Sequence, residues 1–147
     1  MEAVRTSIKN LNWTLPTNIQ QNAIRDLLNI DDDNVAMLID PNQKYTWENA
    51  TLVIEQIGYP KNSKALPGLL WLLQDINWPG ALKAIEILKS TDKLVILPLV
   101  EQTIIKAYED EDYMWLGGIK RLIEEAKYTI NDFSNVETYK LLNYSDF

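Results

Sequence analysis

An all-α fold of stacked antiparallel helix pairs is what this sequence predicts, and three observations predict it. Three segments begin with Trp and place a small residue three positions later and an aliphatic seven later. They are Trp47/Ala50/Ile54, Trp78/Ala81/Ile85 and Trp115/Gly118/Leu122. Those spacings share one helical face, and the small residue admits a close neighbour. The second observation is a common offset: Trp47 to Trp78 and Pro67 to Pro98 are both 31 residues. The third is that no run alternates convincingly as a strand would, although Leu94–Leu99 imitates one by composition. A repeat of this length, two helices per unit, reads as a HEAT-like α-solenoid.

The elements follow in order. The first ten residues form a helix or a loose arm. Pro16–Leu28 carries Ile19, Ala23, Ile24, Leu27 and Leu28 at helical spacing, an amphipathic helix suited to cover the open N-terminal end. Val35–Ile39 gives one short helical turn. Thr46 stands where a cap should precede the first Trp helix, which Gly58-Tyr59-Pro60 ends. Pro67 then opens a second helix with the stripe Leu66, Leu69, Leu70 and Leu73. Asn77 caps the next Trp helix with Pro79 in its first turn, and Pro98 opens that unit's second helix. Its stripe is Leu97, Val100, Ile104 and Ala107. The third Trp comes 37 residues after the second, so a longer helix or loop lies around Tyr108–Asp112, with Asp112 as cap. Ser134-Asn135-Val136-Glu137 has the form of a capping box and starts a last helix running through Leu142. The result is one domain over 1–147, with units at about 46–75, 77–109 and 112–147 and a capping helix at about 16–28.

Composition removes much of the catalytic repertoire. The 147 residues include no His and no Cys, which excludes Ser-His-Asp and Cys-His nucleophiles, ordinary zinc sites and disulfides. Lys and Arg number 14 against 21 Asp and Glu, a net charge of −7. Nucleic acid needs the opposite sign. The longest apolar stretches, Leu94–Val100 and Gly68–Leu73, are far too short to span a bilayer. No signal-peptide core follows Met1-Glu2-Ala3-Val4-Arg5, so the cytoplasm is the expected location. Neither a phosphate-binding glycine motif nor a calcium loop is present, and no cofactor is expected.

Leu69-Leu70-Trp71-Leu72-Leu73-Gln74-Asp75-Ile76-Asn77-Trp78-Pro79 resembles the hallmark of a bacterial family known as domain of unknown function 5071. That hallmark is a leucine-rich helix running into W-L-Q-D-x-N-W-P, and here an extra Leu precedes Gln74. Asp112-Tyr113-Met114-Trp115 is similar to the family's second D-x-x-W element, and the likeness spans about Ile39 to Ile123. It implies an all-helical, HEAT-like fold and no reaction.

Each constellation has two readings. Asp75 and Asp112 lie three residues before a repeated Trp, either as groove carboxylates or, in register with the repeat, as helix caps. Trp78 and Trp115 are ligand platforms or, by their shared spacing, repeat-core residues. Asp31-Asp32-Asp33 and Glu109-Asp110-Glu111-Asp112 are partner-binding patches or solvated inter-helix loops. Trp71 falls off the leucine stripe, on a face with Pro67, Gln74 and Asp75. The same register in the next unit gives Pro98, Gln102, Ile105 and Lys106. Second helices of successive solenoid units line one surface. Trp71, Gln74, Asp75, Gln102, Ile105 and Lys106 are therefore the candidate contact residues, unless the C-terminal helices cover Trp71.

The expectation is a non-catalytic protein-binding module, immunity- or antitoxin-like, whose acidity steers a basic partner. The alternatives are an enzyme working through carboxylates, with Glu124, Glu125, Asp75 and Glu86 as the loose options, and self-association through Trp71 or the Tyr139/Leu142/Tyr144/Phe147 group.

Overall fold

A computed structural model describes residues 1–146. Every regular element among them is helical, with no strand. Helices α1 (Glu2–Lys9) and α2 (Thr17–Leu27) pack together and bury Ile8, Ala23 and Leu27, so the first ten residues are a helix rather than an arm. The α2 boundaries lie within a residue of the Pro16–Leu28 expectation. Its register with α3 (Trp47–Ile57) is held by Asn49, whose amide donates to the Leu11 carbonyl and to Gln20 Oε1, both at 2.8 Å. Between them a 3₁₀ helix, Asp32–Leu38, buries Val35 and Leu38 and packs on a second turn, Ser63–Ala65.

Gly58 ends α3 as expected. Its φ of +76° is open to glycine at no steric cost, and its N–H returns to the Ile54 carbonyl. Helix α4 (Leu66–Trp71) tightens into a 3₁₀ turn, Leu72–Gln74, and Leu66, Leu69, Leu70 and Leu73 are buried as one stripe. Beyond it come α5 (Ala81–Ser90), α6 (Lys93–Glu109) and α7 (Tyr113–Ala126). The chain closes with α8 (Val136–Lys140) and a 3₁₀ turn, Leu141–Tyr144. The +3 and +7 positions of all three Trp segments are buried, as are Leu97, Val100, Ile104 and Ala107. Helix α5 packs against α3, α4 and α7, and α6 against α4, α7 and α8.

Several helix starts differ from the sequence expectation. Thr46 does not cap α3. It belongs to the preceding 3₁₀ turn with helical φ and ψ, and its hydroxyl donates to the Gln43 carbonyl at 2.7 Å. A cap needs an extended backbone, which a turn running straight into the helix does not supply. Asn77 does not cap either, because α5 begins only at Ala81. Asp75 accepts from the Asn77 N–H at 2.9 Å and its carbonyl from the Trp78 N–H, folding residues 75–78 into an Asx-type turn. So Asp75 is a turn-former, not the cap of a helix. Gly80 completes that turn at φ +84°, where a Cβ would stand 2.9 Å from the Trp47 carbonyl oxygen.

Pro98 lies inside α6 rather than at its start. Asp92 caps that helix by accepting from the Leu94 N–H at 2.9 Å. The cap outweighs the proline, which forfeits one intrahelical bond to Leu94 on the exposed side. Asp112 does cap α7, accepting from the Trp115 N–H at 3.0 Å. The last helix is capped by Asn135, which accepts from the Glu137 N–H. The Ser134 hydroxyl turns to Glu101 instead, and α-helix gives way to 3₁₀ after Lys140.

Candidate functional site

Three of the six candidate residues lie where α4 runs into the Asp75 turn. Because the turn carries Trp78 out of any helix, its ring meets those of Trp47 and Trp71. The three centroids stand 5.2–5.3 Å apart, Trp47 against Trp71 edge-on at 89°. Trp47 is the buried member, and its indole N–H donates to the Asp40 carbonyl at 2.7 Å. Trp71 and Trp78 are half-buried. Trp71 is thus partly covered, by neighbouring tryptophans. Gln74 and Asp75 are half-buried beside it in sequence.

The repeated tryptophans do not play one role. Trp115 is buried away from the trio, its indole N–H donating to the Leu70 carbonyl at 2.9 Å. Equal spacing in sequence made Trp78 and Trp115 look equivalent, and the Asp75 turn makes them different.

The other three candidates, Gln102, Ile105 and Lys106, project from α6 and are exposed. Lys106 pairs with Asp110 at 3.0 Å. Gln102 and Ile105 line a cleft of about 460 Å³ between α6 and the segment entering α8. Two groups outside the candidate set, Leu94 and Pro98, line it too. Leu94, Pro98, Gln102 and Ile105 recur every three or four residues, so they form one stripe along the outer face of α6. Leu94 is 78% exposed and Ile105 41%. Walking back from Gln102 by fours passes Pro98, already placed on this face, and reaches Leu94, but starting the helix at Pro98 hid that first turn.

The cleft's polar wall is built from satisfied groups. The Glu101 carboxylate accepts from the Ser134 hydroxyl at 2.8 Å and the Asn135 N–H at 3.1 Å, tying α6 to α8. Asp132 accepts from the Thr129 N–H at 2.8 Å and pairs with Lys93 at 2.9 Å. The Thr129 backbone bond first, and then Lys93, hold its carboxyl below the usual aspartate range.

A second cavity, about 340 Å³, lies where the loop after Asp75 meets α7, with Ile76, Met114 and Gly117 forming its apolar lining. On its rim Arg121 donates to Glu125 at 2.8 Å, and that guanidinium holds the Glu125 carboxyl below the glutamate range against a smaller opposing effect of burial. The carboxylates considered for chemistry are otherwise engaged or dispersed. Glu86 and Glu55 share Lys83, Asp75 holds its turn, and Asp33 pairs with Lys64. Of the run Glu109–Asp112, Asp110 pairs with Lys106 and Asp112 is a cap. Among the described residues no group of three or more Asp or Glu could hold a metal ion. No helix among them is long and apolar enough to cross a membrane.

No family model, curated protein or solved structure matches the chain.

Proposed function

We propose that this chain is a protein-binding module, a small HEAT-like helical repeat that engages a basic partner protein through the outer face of α6. The observation that carries the reading is the exposed apolar stripe of Leu94, Pro98 and Ile105 on a helix whose opposite face is already core. A helix apolar on both faces normally has neighbours on both. Seventeen residues of α6 make a ridge about 25 Å long. Such a ridge matches the partner-side footprint of a standard interface, about 800 Å².

Charge supports the partner's sign. The net −7 raises the encounter rate with a basic protein, as an immunity- or antitoxin-like role in the cytoplasm would require. Gln102, Ile105 and Lys106 belong to this face, and Trp71, Gln74 and Asp75 extend it in the solenoid reading. The resemblance to domain of unknown function 5071 agrees in fold and adds no chemistry.

The test is capture of partners by the tagged full chain from its source cell, followed by binding measurements with the purified partner. Leu94→Glu with Ile105→Glu should weaken that binding by at least about tenfold. Leu82→Glu, an exposed leucine on α5, should leave it unchanged. A partner bound equally by all three proteins would sink the reading. Dimers in sedimentation that the double variant abolishes would replace it with self-association.

A further inference from the structure

We propose that the cleft between α1 and residues 36–43 binds a small organic anion, with a carboxylate or phosphate head on Arg5 and Lys9 and an apolar body on Met37 and Pro41. The cleft encloses about 530 Å³, within the range of small-molecule sites. Arg5 and Lys9 both line it, one turn apart on α1 and therefore on one face.

Acids outnumber bases 21 to 14, and the ion pairs take up Lys64, Lys83, Lys89, Lys93, Lys106, Arg121 and Lys140. Among the described residues neither Arg5 nor Lys9 is in an ion pair. The one carboxylate of the lining, Asp40, is committed to its own loop. Its Oδ1 accepts from the Asn42 N–H at 2.9 Å and its Oδ2 from the Gln43 amide at 2.8 Å. The cleft's two cations outnumber its one carboxylate and offer a forked donor and a point charge, the pair that a carboxylate or phosphate monoester accepts best.

The rest of the lining is mixed, with Asp40 and Gln43 beside apolar residues on which an apolar body could rest. Ala36 and Pro41 are exposed and Met37 is half-buried, above the buried Ile8 and Ile39. A polyanion would be repelled by the chain as a whole, whereas one anionic head meets only the local field. This site is separate from the α6 face and does not depend on its reading.

The experiment is a titration of the isotopically labelled full chain, followed by amide chemical shifts, with four probes used below any micelle concentration. They are octanoate, octyl phosphate, 1-octanol and inorganic phosphate. Octanoate or octyl phosphate should shift amides in residues 5–9 and 36–43, and the stronger of the two identifies the head. Octanol and inorganic phosphate, each lacking one half of the recognition, should bind at least about tenfold more weakly. Arg5→Gln with Lys9→Gln should cost about tenfold or more, while Lys140→Gln should change nothing. Both sites are exposed, and an unchanged spectrum elsewhere verifies the variant's fold. No shift with either anion, octanol binding equal to octanoate, or affinity unmoved in the double variant each overturns the proposal.

Discussion

Gly118 of α7 stands directly over the backbone carbonyl of Leu73, so close that a single added carbon would overlap that oxygen. The same carbon would lie 3.0 Å from the Leu73 carbonyl carbon. This is the contact that lets α7 press on the turn after α4 and so places both the tryptophan trio and the Met114 cavity. Since the obstacle is backbone, Gly118→Ala cannot be relieved by a rotamer change. It should lower the unfolding free energy by about 2–4 kcal/mol in denaturant titration. A loss under about 0.5 kcal/mol would mean that α7 and Leu73 are further apart.

The two tryptophan settings predict different costs. Trp115→Phe removes the indole's buried bond to the Leu70 carbonyl and leaves a void, and should cost about 2–4 kcal/mol. Trp71→Phe, at a half-buried ring, should cost about 1 kcal/mol. It should also weaken the far-ultraviolet circular-dichroism couplet expected of three indoles 5.2–5.3 Å apart, leaving the part that belongs to the Trp47–Trp78 pair. Equal stability losses, or a couplet unchanged in strength by Trp71→Phe, would contradict this division.

Tyr128 buries a hydroxyl that has no hydrogen-bond partner among the described residues, and burial pushes its phenol up from the usual value. Removing the oxygen removes an unmet desolvation cost. Tyr128→Phe should therefore stabilise the protein by about 0.5–1 kcal/mol, read as a higher melting midpoint. Destabilisation would point to a partner for that hydroxyl.

Asp132 links the α7–α8 connection to α6 through Lys93, and its carboxyl is held below the ordinary aspartate value, first by the Thr129 N–H. The folded chain therefore takes up this proton less readily than the unfolded one. Its contribution is complete above the ordinary aspartate range and fades as pH falls through the folded value. Stability curves of the wild type should drop below about pH 4, and Asp132→Asn should drop less steeply there. Parallel curves through that window would show that Asp132 contributes nothing to acid sensitivity.

How far each element was legible depended on how locally it is specified. Asp112 caps α7, Gly58 ends α3, and the stripes of α4 and α6 are buried, because each is decided within a turn or two of chain. Asn77 and Pro98 misled for the opposite reason. Each is a fair local signal, overridden by a stronger neighbour, the Asp75 turn in one case and the Asp92 cap in the other. Of the candidate face, Gln102 and Ile105 sit on a cleft, and Leu94, its most exposed apolar member, went unread once the helix was started too late.

Sequence alone determined that the chain is helical, acidic and without His or Cys chemistry, and that the apolar stripes of α4 and α6 face the core. Those properties are sums over composition and periodicity, which do not depend on who meets whom. Only the tertiary structure decided that Trp78 leaves its helix to join Trp47 and Trp71, while Trp115 is buried against α4. It also brought Arg5 and Lys9 to a cleft whose far wall begins 27 residues later, at Ala36. Contacts between such distant segments are chosen by shape and backbone approach, as Gly118 on Leu73 illustrates, and no repeat spacing encodes them.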